Sequence, residues 1–324
     1  MAVNTDAGEG AGTAAGAGAD TGTGADTGAD TGADTGADTG ADTGTAAGVC
    51  PVCEAPVLPG DSYCEACGHA LGAPACATCG AAAVDAEGYC ERCGARQPTG
   101  RDHAELVLPG GAGRQAAALT DKGLRRGRNE DAMALLEADG TVVTVVCDGV
   151  SNSPRADEAS AAAVETASAA LARGLPHEEA FELAGRAVTK LATSLDDAPA
   201  CTYIAAVVRP DGGVTLAWAG DTRAYLLPSG TPLTRDDTVE TGEITAWLGA
   251  DAEDAGPHVR TLAPGTPGLL LVCSDGLWRY LDGYDFPRTG TPLELAREML
   301  RHALSRGGQD NVTIALIPLG EAHG

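Results

Sequence analysis

The chain has 324 residues, and 44% of them are hydrophobic, which is enough to fill one large core. Its formal net charge of −25 disfavours nucleic acid or an anionic membrane as a general partner. No apolar run reaches the roughly 18 residues of a membrane span, and the N-terminus shows no basic segment followed by an apolar stretch. We therefore expect a cytoplasmic protein.

Residues 1–48 have the composition of a disordered tail. They contain no Lys, Arg or aromatic residue, and they include five consecutive copies of Ala-Asp-Thr-Gly between Ala25 and Gly44. Such a segment cannot bury enough apolar surface to offset the entropy lost on ordering. Because it carries seven Asp and one Glu, about a third of the net negative charge lies there.

The next segment, residues 49–95, contains eight of the 11 cysteines. Each half reads C-x2-C, ten residues, C-x2-C, and the second half repeats the first with a period of 26 residues. This spacing predicts two zinc ribbons, each binding one structural Zn2+ through four thiolates; a disulfide cluster is the alternative. The eight are Cys50, Cys53, Cys64, Cys67, Cys76, Cys79, Cys90 and Cys93. Such ribbons serve either as spacers or to recruit a protein partner, and the spacing does not distinguish these uses.

Residues 96–114 resemble a linker, and from residue 115 the pattern changes to apolar runs that alternate with helical segments. Runs such as "TVVTVVCDGV" and "GLLLVCSDGL" predict strands, whereas "PHEEAFELAGRAVTKLATSL" and "PLELAREMLRHALSRGG" carry apolar residues at helical spacing. Residues 115–320 are therefore predicted to form one α+β domain. The three remaining cysteines, Cys147, Cys201 and Cys273, fall in apolar strands and are expected to be buried.

Acidic side chains stand at or beside the ends of these predicted strands. A single Asp-Gly is commonly only a turn, but this domain has several such acids. Strand ends rich in Asp, with no His or Cys beside them, form an all-oxygen site that suits Mg2+ or Mn2+. The candidates are Glu130, Asp131, Asp148, Asp221, Asp275 and Asp310.

Five motifs in this order, "GLRRGRNEDA", "VVCDGV", "WAGDTRAYL", "CSDGLW" and "QDNVTIAL", resemble the metal-dependent serine/threonine protein phosphatases of the PP2C (PPM) family in its compact bacterial form. The resemblance covers roughly residues 115–320. It implies a β-sandwich flanked by helices, with a dinuclear Mn2+ or Mg2+ centre at one end. It also implies hydrolysis of phosphoserine and phosphothreonine in proteins, with a metal-bridged hydroxide as nucleophile.

Transferred to this chain, the resemblance assigns a role to each candidate residue. Asp148 would bridge two metals and the carbonyl of Gly149 would ligate one, while Asp275 and Asp310 would complete the shell of the other. Asp131 and Glu130 would act on the second metal directly or through water. Arg126 would bind the phosphate, and its neighbours Arg125 and Arg128 are expected to be solvated. Asp197 is a candidate ligand of a third metal, or else a solvated acid at a helix end.

The chain departs from the family at several places, and two of them bear most on the reaction. Val150 stands where animal members have a His that serves as a candidate general acid, and the segment around Thr238–Gly256 leaves little room for the usual flap. Two alternatives therefore remain: a pseudophosphatase that binds phosphoproteins without turnover, and a phosphatase of a small phosphorylated metabolite. For an active enzyme, the expected partners are phosphorylated proteins, such as a serine/threonine kinase or its targets.

Overall fold

The computed structural model describes residues 48–58, 61–85, 88–98, 100–109, 115–252 and 256–320. The predicted disordered tail therefore lies outside the described residues, apart from Gly48. Within these ranges, no helix combines the length and the apolarity needed to cross a membrane.

The two cysteine-rich segments contain little regular structure. The first begins with a two-stranded antiparallel sheet of β1 (Gly48–Val49) and β2 (Pro56–Val57). Beyond it, the segments consist mainly of turns and isolated bridges such as Tyr63–Ala70 and Ala75–Ala82. Their only described hydrophobic cluster is small and includes two cysteines, Cys76 and Cys90. So small a core suggests that bound metal is needed for folding.

A six-stranded antiparallel sheet forms one layer of the main domain. In sheet order, with strands numbered along the chain, it contains β11 (Thr231–Pro232), β10 (Arg223–Leu227), β14 (Gly268–Cys273), β15 (Val312–Leu319), β4 (Ala116–Asp121) and β3 (His103–Leu108). Its central strands, β14 and β15, are apolar along almost their whole length, as expected for strands covered on both faces.

A five-stranded antiparallel sheet forms the second layer. Its order is β13 (His258–Leu262), β9 (Val214–Ala219), β8 (Tyr203–Val208), β6 (Thr141–Cys147) and β5 (Ala132–Ala138). A separate short pair joins β7 (Ala200–Cys201) to β12 (Leu248–Gly249). Side chains from both large sheets, among them Val146, Ile204, Leu270 and Ala315, form a shared core between the layers.

Helices cover the outer face of each sheet. The helices α1 (Ala156–Ala172) and α2 (His177–Thr189) pack on the five-stranded sheet. The short α3 (Asp275–Trp278) and α4 (Pro292–Ser305) pack on the six-stranded sheet. The predicted α+β sandwich flanked by helices is therefore confirmed. Cys147, Cys201 and Cys273 are each fully buried, as expected.

One segment differs from its prediction. Residues 103–108, assigned to the linker, form β3, which pairs along its whole length with β4. The segment "HAELVL" has only six residues, and strand β3 lies at the edge of its sheet with partly exposed residues, so its apolar periodicity is weak. The folded sheet thus begins at His103 rather than at residue 115.

Candidate active site

Strand pairing brings the predicted acids to one edge of the sandwich. In the five-stranded sheet Ala132, the first residue of β5, pairs with Cys147, the last residue of β6. Asp131, just before β5, and Asp148, just after β6, therefore lie at the same edge of the sheet. In the six-stranded sheet Cys273 pairs with Ile314, which places the start of α3 beside residues 310–311. The turn that contains Asp221 connects β9 of one sheet to β10 of the other. Six separate acids therefore approach one region from both layers.

Close packing explains why Gly follows Asp at both predicted strand ends. A Cβ atom on Gly149 would lie 2.8 Å from the carbonyl oxygen of Glu130 and 2.7 Å from that of Ala156. A Cβ atom on Gly276 would lie 1.9 Å from the carbonyl oxygen of Asn311. Neither glycine has a positive φ, so both are required for close approach of the backbone rather than for a turn.

Asp131 is the most enclosed of these acids, with only 1% of its surface exposed. Its Oδ2 accepts hydrogen bonds from Ser274 Oγ (2.8 Å) and Thr313 Oγ1 (2.7 Å). Burial, and then the charges of Asp275 and Asp310, raise the pKa of Asp131 to about 7, against the opposing effect of these two donors. Its Oδ1 has no hydrogen-bond partner among the described residues.

Three more carboxyls near Asp131 also have raised pKa values. Burial and then the neighbouring Asp131 raise the pKa of Asp148 well above its ordinary value. Burial and then Asp275 raise the pKa of Asp221 to about 6. The pKa of Asp275 is raised by burial and then by Asp310, although Arg279 contacts its Oδ2 at 2.6 Å. These carboxyls are thus buried close enough to oppose one another's ionisation, which one or more cations would relieve.

Two described arginines contact this group: Arg279, which pairs with Asp275, and Arg126. Arg126 Nη2 lies 2.6 Å from Asp310 Oδ2, and the pKa of Arg126 is raised first by this hydrogen bond and further by Glu130 and Asp148. Arg125 is exposed, and Arg128 pairs with Asp157 at the start of α1. Of the three neighbouring arginines, only Arg126 contacts one of the predicted metal ligands.

Two other predicted residues occupy different surroundings. Glu130 lies at the edge of the group, where burial raises its pKa against the effects of Arg126 and Arg128. Asp197 instead accepts hydrogen bonds from Arg155 Nη2 (3.0 Å) and Thr193 Oγ1 (2.5 Å). The bond from Thr193, followed by the effect of Arg155, lowers its pKa. The structure therefore places Asp197 in an ion pair of its own, away from the contacts that join the other acids.

Several uncharged residues that the sequence did not single out hold the acids in place. Asn311 accepts from the backbone N–H of Glu130 at 2.8 Å and donates to the carbonyls of Lys122 and Arg128. Thr202 accepts from the N–H of Asp148 through Oγ1, and its own N–H donates to the carbonyl of Asp148. For Asn311 the signal was available, since the motif "QDN" places it directly after Asp310.

The arrangement fits divalent metal ions. Asp131 and Asp275 each keep one buried carboxylate oxygen without a described partner, in a region with four more acids. An unpaired buried carboxylate is costly, so a bound cation is the expected compensation. Because the available ligands are all oxygens, Mg2+ and Mn2+ suit the site better than Zn2+.

The cysteine clusters have the geometry of a different metal site. Cys50, Cys53, Cys64 and Cys67 form one group and Cys76, Cys79, Cys90 and Cys93 form a second, each with its four ligand atoms within 4.8 Å of one another. The closest Sγ–Sγ separations are 3.6 to 3.7 Å. A tetrahedron with Zn–S bonds of about 2.3 Å has edges of about 3.8 Å, whereas a disulfide has an S–S distance of about 2.0 Å. The two clusters therefore fit zinc ribbons.

The surroundings of the second cluster also favour metal binding. Cys76 Sγ accepts from the backbone N–H groups of Thr78 and Cys79, and also from Gln97 Nε2 at 3.2 Å. Although burial opposes ionisation, these donors lower the pKa of Cys76 to about 6. A thiolate, which is the metal-binding form, is thus favoured at Cys76. At Cys93, against the effect of the Ala95 backbone, burial and the neighbouring thiols raise the pKa to about 12.

His69 is a buried histidine that lies between the two cysteine clusters. It is 5% exposed, its Nδ1 contacts Glu91, and its Nε2 lies 3.0 Å from the carbonyl oxygen of Ala82. The imidazole therefore joins the first cysteine segment to the second. A contact between two segments leaves no local periodicity, so this role has no signal in the sequence.

The family model for protein phosphatase 2C matches residues 124–311, more than half of the chain and the whole set of converging acids. The chain belongs to the protein phosphatase 2C family. The cysteine clusters lie outside the matched range. The comparison with curated proteins returns no match.

Solved structures of bacterial members of this family are similar to the main domain. The Mycobacterium smegmatis PPM Ser-Thr phosphatase MsPP, in complex with cacodylate, is 27% identical with a TM-score of 0.53, over 63% of this chain and 98% of that one. The Mycobacterium tuberculosis serine/threonine phosphatase PstP/Ppp is 23% identical with a TM-score of 0.53, over 66% and 100%. The S. agalactiae serine/threonine phosphatase is 20% identical with a TM-score of 0.55, over 67% and 99%. The predicted family and its fold are thus confirmed.

Proposed function

We propose that this protein phosphatase 2C member hydrolyses phosphoserine and phosphothreonine in proteins, using two Mn2+ or Mg2+ ions. The observation that supports this most directly is the contact of Arg126 with Asp310, beside Asp131, Asp148 and Asp275, whose carboxyl pKa values are raised. A cation-binding group beside a phosphate-binding arginine is the combination that phosphoester hydrolysis requires.

The proposed ligands are divided between the two metals. Asp148 would contribute to both ions and the carbonyl of Gly149 to one of them, with Asp275 and Asp310 completing one shell. Asp131 and Glu130 would act on the other, directly or through water. Ser274 and Thr313 orient Asp131 by donating to its Oδ2, which leaves Oδ1 for a further interaction.

The bound ions supply positive charge that lowers the pKa of water and polarises the phosphoryl group. The chain's own residues then bind and orient the phosphoester. The Arg126 guanidinium can donate to two phosphate oxygens and offset the charge that develops on them. In the net reaction water breaks the P–O bond, and the products are a free serine or threonine hydroxyl and inorganic phosphate.

Two features of the chain limit how this reaction proceeds. Val150 cannot donate a proton, so the leaving oxygen must receive its proton from water or from another group. Cys147 and Cys273 are fully buried and burial raises the pKa of each thiol, so neither is suited to attack phosphorus. A covalent phosphocysteine is therefore not part of the proposal.

The test is Mn2+-dependent release of phosphate from a phosphothreonine peptide, compared with release from a small aryl phosphate. We expect both activities in the unsubstituted protein, with kcat/KM higher for the peptide. Asp148→Asn should lower Mn2+ affinity and turnover together, because it removes a charge shared by both metals. Asp282→Asn, an exposed acid with no described ion pair, is the matched control and should change neither.

The outcomes separate the remaining alternatives. A protein that binds Mn2+ and phosphopeptide but releases no phosphate between pH 6 and 9 would be a pseudophosphatase. Hydrolysis of the small ester alone would indicate a metabolite phosphatase. Full activity in Asp148→Asn would show that the ligand assignment is wrong.

A further inference from the structure

The second cysteine segment adjoins the loop that carries the phosphate-binding arginine. We define this loop as residues 122–131, which contain Arg126, Glu130 and Asp131. We define the connector as residues 96–102, which lead from the second cysteine cluster into β3, with residue 99 outside the described part. Contacts join the connector to both the cluster and the loop.

The start of the connector is bound to the second cluster. Gln97 Nε2 donates to Cys76 Sγ at 3.2 Å, and Gln97 Oε1 accepts from the N–H of Ala77 at 2.6 Å. The N–H of Gln97 also donates to the carbonyl of Gly88 at 2.7 Å. Because a ribbon of this size has little core, these bonds depend on the fold that a bound metal maintains.

The rest of the connector is bound to the loop. Arg96 Nη1 donates to the carbonyl of Gly127 at 3.2 Å, next to Arg126. Asn129 Nδ2 donates to the carbonyl of Arg101 at 2.8 Å, and Arg101 Nη2 reaches the carbonyl of Asp131 at 3.4 Å. The Lys122 N–H donates to the carbonyl of Asp102 at 2.8 Å. Contacts are thus made near the start, the middle and the end of the loop.

The first cluster is more remote from the loop than the second, because His69 joins the first cysteine segment to Glu91 and Ala82 of the second. Among the described residues, no hydrogen bond joins residues 48–71 to the loop.

We propose that the second cysteine cluster and the connector position the loop that carries Arg126, so that metal binding in this cluster controls how tightly the active site holds phosphate. The proposal rests on the proposed phosphatase function. Arg96 is a positioning residue in this scheme, since it contacts the loop backbone and not the substrate. The first cluster, which reaches the loop only through the second, has a smaller effect.

The experiment uses the full-length zinc-loaded protein with Mn2+. Two variants weaken the contacts by which the second cluster and the connector position the loop. Cys90→Ser removes a ligand of the second cluster, and Arg96→Ala removes the bond to Gly127 without removing a thiolate. Two variants are matched controls: Cys64→Ser alters the first cluster, and Arg92→Ala removes an exposed arginine of the second ribbon. Each is measured by hydrogen exchange of the amides of residues 122–131 and by inhibition with inorganic phosphate.

We expect faster exchange in the loop for Cys90→Ser and Arg96→Ala than for their controls. The inhibition constant for phosphate should rise about two- to tenfold in Arg96→Ala, the range that corresponds to one net hydrogen bond, and more in Cys90→Ser. A merely structural role of the ribbon would leave the phosphate constant unchanged in the folded Arg96→Ala protein. Zinc removal should reproduce the effect of Cys90→Ser.

Exchange rates in Cys90→Ser and Arg96→Ala that match those of their controls would overturn the proposal, whatever the activity. Altered exchange with an unchanged inhibition constant for phosphate would overturn the claim that the second cluster controls phosphate binding. If the unsubstituted protein hydrolyses no phosphoester, the proposed function fails, while loop exchange still decides whether the ribbon positions the loop.

Discussion

Arg126 lies beside the carboxylates proposed as metal ligands, where it can also bind a phosphate. Its guanidinium contacts Asp310 and is influenced by Glu130 and Asp148, so it is held at the border of the acidic group rather than in solvent. A metal on Asp310 would compete for the same carboxylate. The guanidinium would then be available for phosphate, to which it can donate two parallel hydrogen bonds.

This arrangement predicts that Arg126→Ala separates phosphate binding from metal binding. The variant should lower kcat/KM on a phosphothreonine peptide by roughly 10- to 1000-fold, because a charged group that stabilises the transition state is lost. Its Mn2+ affinity, measured by calorimetry, should remain close to that of the unsubstituted protein. Arg125→Ala removes an exposed neighbour of the same charge and should have little effect. Equal losses in both variants would contradict the assignment.

The raised carboxyl pKa values predict how stability depends on pH. Asp131 has a folded pKa of about 7 and Asp221 one of about 6, both above the roughly 3.9 of an unfolded Asp. The folded state binds these protons more tightly than the unfolded state, so protonation of the two carboxyls stabilises the fold. This stabilisation is complete below about pH 4 and is lost as the pH rises through 6 to 7. Without Mn2+ or Mg2+, unfolding should therefore become easier as the pH rises from about 4 to about 7.

Asp221→Asn should reduce the pH-dependent decrease in the free energy of unfolding by up to about 3 kcal/mol. Saturating Mn2+ should also reduce this decrease in the unsubstituted protein. Tryptophan fluorescence during urea unfolding is a suitable measurement, since Trp218, Trp247 and Trp278 all lie in the main domain. Comparing the variant with the unsubstituted protein cancels the contribution of the histidines. A pH profile that Asp221→Asn leaves unchanged would show that Asp221 does not carry a raised pKa.

At the level of elements, the long apolar runs were predictable and the edge strand β3 was not. β6 and β14 are such runs, and both appear as expected. The run "GVTLAWAGDTRAYLL" forms two strands, β9 and β10, which belong to different sheets. The chain crosses between layers at the Gly220–Asp221 turn. Hydrophobicity marks a strand but carries no information about which sheet it joins.

Packing at Gly276 predicts a marked loss of stability on substitution. In Gly276→Ala the new Cβ atom would lie 1.9 Å from the carbonyl oxygen of Asn311, so α3 or the start of β15 must move. We expect a loss of about 3 kcal/mol or more in the free energy of unfolding. Gly256→Ala, where no atom lies within 4 Å of the added Cβ, should stay within about 1 kcal/mol of the unsubstituted protein. Similar stabilities of the two variants in urea would show that the two strand ends are not packed this closely.

For the molecule as a whole, residue type and order predicted the acids and the cysteines, because both sets have regular spacing or recur at strand ends. The residues that support them escaped prediction. Asn311, Thr202 and Ser274 act through hydrogen bonds to partners far away in the sequence, and His69 joins the two cysteine-rich segments. Such contacts depend on tertiary structure, which a single sequence does not display.

The two cysteine clusters predict the metal content of the whole chain. Since each cluster has its own four sulfur atoms at close to tetrahedral separation, elemental analysis of the full-length protein should give two zinc ions per chain in addition to any Mn2+ or Mg2+. Cys64→Ser and Cys90→Ser should each retain one tightly bound zinc, because the other cluster keeps all four ligands. Cys201→Ala removes a buried thiol from the main domain and should retain both. One zinc in the unsubstituted protein would mean that the clusters share a single site, and a loss of both ions in Cys64→Ser would mean that the contact through His69 makes the second ribbon depend on the first.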